Sequence, residues 1–129
     1  MYMKIKKITL FRIEKDIELY QFYLGLLFKS ATFIFTITGA MILYYLANRQ
    51  NELIRYSLFL PLILNIGFLI TCIISIKPAI KMEKLHKKDS RKINFGPSFK
   101  MNTLINSLII FTISYSLVII GIVILFFIR

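Results

Sequence analysis

The chain has 129 residues, 57% of them hydrophobic, and a mean hydropathy of +0.72, yet it carries a formal net charge of +11. Water-soluble domains average about 45–50% apolar residues with charges dispersed among them, so this combination requires that charge and apolar character be segregated along the chain. That pattern excludes an ordinary soluble globular domain. One histidine and one cysteine exclude a zinc or haem ligand set and an intramolecular disulfide, so neither a metal nor a cofactor is expected.

The first 28 residues are charged, but Ile13, Ile17, Tyr20, Leu24 and Leu27 recur every three or four positions, the spacing of one helical face. An amphipathic helix is therefore predicted over 10–28, running into the first apolar segment. Apolar density starts only near Leu19 and no small-residue cleavage site follows it, so a removable signal peptide is not expected.

Residues 30–47 hold no charge and are bracketed by Lys29 and Arg49. At 1.5 Å per residue such a helix is about 27 Å long, close to the hydrocarbon thickness of a bilayer, and is read as the first span. A second uncharged run, 57–76, ends at Lys77-Pro78, where proline is expected to weaken or redirect the helix. Residues 77–100 form a basic loop that begins as a helix, with Pro78 in its first turn, and breaks at Gly96-Pro97. Residues 101–128 form the third span, long enough to require tilt. The expected fold is all-α, a single membrane domain of three spans with a basic helical loop between the second and third.

Of the 17 lysines and arginines, 14 lie before the first span or in the second loop, leaving Arg49, Arg55 and Arg129 for the other side. This asymmetry places the N-terminus and the long loop inside and the C-terminus outside. The bias of the composition towards Ile, Lys and Asn points to a bacterium, hence to its inner membrane. Tyr44, Tyr45 and Tyr56 are then expected in the outer aromatic belt, with Tyr20, Tyr23, Phe95 and Phe99 in the inner one.

No Asp, Glu, Lys, Arg or His falls within a span, which argues against proton-coupled transporters, pumps and voltage sensors, all of which use buried ionisable groups. An enzyme is not expected either. His86 has no cysteine near it and no carboxylate in a plausible triad and is read as a solvated loop residue, and no phosphate-binding glycine loop, HExxH or GxSxG is present.

Small and hydroxylated residues inside the spans carry more information. Thr32, Thr36 and Ala40 repeat at four-residue spacing, as do Gly67, Thr71 and Ser75, while Thr103, Ser107, Ser114 and Gly121 align on one stripe. Small residues at such spacing let helix backbones approach closely. Two readings follow: packing within one three-helix subunit, or self-assembly of several subunits around a polar path that includes Asn65. Asn65 would be costly against lipid and is expected to face a neighbouring helix.

The basic loop is the second candidate surface. Lys77, Lys81, Lys84 and Lys88 fall on one helical face, opposite Ala79, Met82 and His86, with Arg91 and Lys92 just beyond. Such a stripe can bind an anion: a lipid headgroup, a nucleotide or an oligonucleotide. It can also enforce topology alone, or pair with Glu14, Asp16 and Glu18, and an acidic partner protein would suit the same charges.

Residues 30–85 combine a hydroxyl-rich first span, the turn Asn51-Glu52-Leu53 and a second span opening with Leu60-Pro61. In these features, which cover less than half of the chain, it resembles a loose group of small bacterial multi-span membrane proteins. Similar proteins act as effectors in antiphage defence, depolarising or permeabilising the membrane on a signal. The resemblance implies a membrane effector of that kind and assigns no role to any residue.

Overall fold

The computed structural model describes residues 1–92 and 102–128, without the side chains of Ser90 and Lys92. Three long helices, α1 (Tyr2–Ala47), α2 (Phe59–Lys92) and α3 (Asn102–Phe127), form the molecule, with a short 3-10 helix, Glu52–Leu58, between the first two. No strand occurs among the described residues, and each of the three helices is long and apolar enough to cross a membrane.

α1 has no proline to interrupt it, so the amphipathic segment and the first span form one 46-residue helix, about 69 Å long. Its end is marked by polar side chains that bond locally. The Asn48 side chain donates to the Tyr44 carbonyl, and Asn51 accepts from the Leu53 N–H at 3.1 Å to start the 3-10 helix.

The predicted apolar face of the N-terminal segment packs inward: Ile13 and Tyr20 are buried, and Ile17, Leu24 and Leu27 are half-buried. α2 does not stop at Pro78. The helix runs through it to Lys92, so the expectation of a new helix starting at 77 is corrected: Pro78 is exposed, and its ring removes only one backbone N–H from a helix held on both sides by Cys72 and Ala79 in the core. The Gly96-Pro97 turn lies outside the described residues.

Cross-helix contacts fix the topology. Tyr115 donates to the Ala31 carbonyl at 2.6 Å and Tyr45 to the Leu125 carbonyl at 3.2 Å, so α1 and α3 run parallel. Asn65 meets Thr38 and Asp89 meets Arg12, so α2 runs antiparallel to α1. Phe68 packs on Tyr115 with ring centroids 4.6 Å apart, and Phe59 on Phe126 at 5.2 Å, which sets α2 antiparallel to α3. The result is an up-down-up bundle with two apolar clusters, a large one around Phe68, Cys72, Leu108 and Tyr115 and a smaller one around Tyr45, Leu58 and Ile122.

Two belt assignments are corrected by these contacts. Tyr20 and Tyr45 are core residues, 3% and 4% exposed, whereas Tyr23, Tyr44 and Tyr56 are exposed. A tyrosine near a span end can satisfy its hydroxyl on a neighbouring helix as well as at the water interface, and Tyr45 does the former.

Candidate functional surfaces

At the N-terminal end α1 outruns α3. Counting back from the Ala31–Tyr115 contact, the start of α3 comes level with about residue 18 of α1, so the first turns of α1 pair there with the end of α2. The seam between them buries Ile13 and His86, at 0% and 1% exposure, and the Asp89 carboxylate, which faces the Arg12 guanidinium at 3.9 Å. His86 is therefore no solvated loop residue. It sits on the face of α2 opposite the lysines, where Nδ1 has no hydrogen-bond partner. The periodicity placed it there, but a loop assignment for 77–100 hid that this face would be covered.

On the other face, Lys77, Lys81, Lys84, Lys88 and Arg91 are all exposed. The first four form a line that climbs about 16 Å along the helix. α2's own carboxylates are turned away from it: Glu83 is held by Lys87 at 2.8 Å and Asp89 by Arg12, with side chains only 12% and 11% exposed. Pairing of the stripe with Glu14, Asp16 and Glu18 is not what forms, since both ion pairs among the described residues involve other partners. The side chain of Lys92, together with Phe95, Phe99 and Lys100, lies outside the described residues.

The small-residue stripes do not pack the subunit together. Thr32, Thr36, Ala40, Gly67, Thr71, Thr103, Ser114 and Gly121 are exposed, Ser75 and Ser107 half-buried, and Asn65 alone of the group is buried. A Cβ added at Gly67 or Gly121 would meet nothing within 4 Å. Packing within one subunit, the first of the two readings, is thus corrected. The hydroxyls need no partner across an interface, because Thr32, Thr36, Thr71 and Ser75 each donate to the carbonyl four residues earlier on their own helix.

What joins the helices in the middle is Asn65, as its cost in lipid requires: Nδ2 donates to Thr38 Oγ1 at 2.7 Å and to the Pro61 carbonyl at 2.6 Å, while Oδ1 is left without a partner. The interior around it is closed by apolar side chains, so these outward hydroxyls line no path through the subunit. Near the other end a cleft of about 200 Å³ between α2 and α3 is lined by Leu58, Phe59, Leu62, Ile122, Val123, Phe126 and Phe127. With no polar group among them it offers no chemistry. No group of three potential metal ligands occurs among the described residues.

Sequence reasoning missed Tyr115, Tyr45 and the Arg12–Asp89 contact. The available signal was a tyrosine in the middle of an apolar run, whose hydroxyl must find an acceptor on another helix. Comparison with family models, with curated proteins and with solved structures gives no match.

Proposed function

We propose that the chain is a self-assembling, non-enzymatic effector of the bacterial inner membrane, which permeabilises or conducts across the bilayer as an oligomer and is gated at its basic cytoplasmic face. The observation that supports this reading is the outward placement of the small-residue stripes on all three helices. Within lipid, helices associate through faces that allow close approach, and apart from the half-buried Ser75 and Ser107 the residues of these stripes are exposed on the subunit surface. Only 11%, 22% and 17% of the apolar windows of the three helices are buried within the subunit, which leaves most of each surface for lipid or for further copies. Because the subunit interior is filled, a conducting path would run between copies, bordered by hydroxyls such as Thr36, Thr71 and Ser114. The resemblance to antiphage effectors supports the same role, with an anionic ligand at the lysine stripe as the trigger.

The alternative is an accessory subunit whose basic helical projection docks an acidic partner protein, favoured by the exposure of Lys77, Lys81, Lys84 and Lys88. Light scattering of the purified protein in detergent, combined with dye release from vesicles, separates the two. The effector reading expects a defined homo-oligomer that leaks dye. A monomer that leaves vesicles sealed would reject it in favour of the adaptor.

A further inference from the structure

The face of α1 turned away from the α2 seam is apolar well outside the bilayer. Ile8, Phe11, Leu19 and Phe22 are 58%, 60%, 44% and 63% exposed and fall on one side of the helix, with Lys15 in their midst. If the hydrocarbon edge lies near Lys29, Phe11 stands about 27 Å beyond it, whereas the headgroup layer is only about 5–8 Å deep. Bending down to bury this face in the membrane surface would require breaking the seam, where Ile13 and His86 are fully packed between the helices. A large apolar stripe on an upright helix in water therefore calls for a protein partner.

Continuity identifies that partner. The same side of α1 continues past Leu26 and the charged Lys29 into the span, where it presents Phe33, Thr36 and Ala40, all exposed. In lipid, apolar bulk has no hydrophobic driving force for association and small residues let backbones meet and pack, whereas in water burying large apolar side chains drives contact. One face thus meets the requirements of both environments along its length, which suits a partner that also crosses the membrane beside it. At the level of Lys15 charge allows the contact, since Glu14 and Glu18, unpaired among the described residues, flank it and two copies side by side can place each Lys15 against a carboxylate of the other, while Lys4 and Lys29 of the same side meet like charges and must turn to water or headgroups. We propose that this α1 face docks a second copy of the same chain, in the same orientation, as a parallel helix pair that extends from the membrane into the cytoplasm. The proposal rests on the self-assembly reading and adds which surface mediates it.

Single cysteines placed at Phe11 or Phe22 in a Cys72→Ala background, oxidised in native membranes, should give disulfide-linked dimers. Cysteines at Gln21, exposed on α1 but off the stripe, and at Lys84 on α2 should not. Absence of dimers at both stripe positions, or equal yields at all four, overturns the proposal. The Phe11→Lys, Phe22→Lys double variant changes only exposed residues, so the subunit should fold while its oligomer loses mass in light scattering. An oligomer mass unchanged in this variant would refute the α1 docking face and leave self-assembly standing, whereas a monomeric wild type would refute both.

Discussion

Asn65 uses both amide hydrogens inside the bundle, but its Oδ1 is buried without a donor, so the residue contributes a cross-helix bond and an orphaned acceptor together. Hydrogen bonds between membrane helices are worth about 0.6 kcal/mol on average and at most about 1.7. Asn65→Ala should therefore destabilise the bundle by roughly 1 kcal/mol in an SDS titration, the lost bond and cavity being offset by removal of the orphan. Tyr115→Phe should cost a similar amount, about 1 kcal/mol, because it deletes the bond to Ala31 and keeps the ring packed on Phe68. His86 differs in sign. Its buried Nδ1 is unsatisfied, so His86→Leu, which fills comparable space with apolar atoms, should leave stability unchanged or raise it. A clear fall in that variant would show that the imidazole is bonded in a way the seam does not suggest. These three side chains were unequally legible in the sequence. A mid-span asparagine announces its need for a partner, whereas His86 could be placed only once the helix carrying it was known to be covered.

At the level of the helices, the face of α1 was readable because its apolar repeat persists through a charged segment, the mark of an amphipathic helix with one side covered. The lysine face of α2 was readable for the same reason. The small-residue stripes misled, since Thr and Ser at four-residue spacing look alike whether they face a helix or lipid: bonded to their own backbone, they cost little in either place. Proline misled in the other direction: its local cost of about 3 kcal/mol in a helix suggested a boundary, yet α2 continues through Pro78 with Ala79 packed beside it. The α1–α2 seam gives a test at this scale. Ile13→Glu places a carboxylate where Ile13 has no exposure, and should open the projection while leaving the spans intact. Hydrogen exchange should rise by about tenfold or more in the first turns of α1 and the last turns of α2, an opening equivalent to about 1.4 kcal/mol, with no change across 30–47. Protection lost equally throughout would mean that the seam and the spans unfold as one unit.

For the molecule as a whole, orientation and the use of its charge can be tested in one set of variants. The 14-to-3 distribution of basic residues predicts that reporters fused at residue 52 read outside and at residue 90 inside. Reversing Lys81, Lys84 and Lys88 to Glu still leaves 11 basic residues on the side predicted to be inside, so insertion and reporter signals should persist. Binding should not persist if the stripe is a site. Near an anionic leaflet each lysine is worth about 1 kcal/mol within a Debye length, but with the hydrocarbon edge at Lys77, where the uncharged run ends, Lys84 and Lys88 would stand about 10 and 16 Å beyond it, past the headgroup layer, where only an anion from solution reaches them fully. The triple variant should therefore lose a short oligonucleotide or nucleoside triphosphate in a filter-binding assay while keeping part of its attraction to anionic vesicles through Lys77. Reversal of Lys4, Lys6 and Lys7, also exposed but on α1, removes the same charge without touching the stripe. Equal losses in the two triple variants would show that net charge alone attracts anions, and the aligned lysines would then serve orientation only.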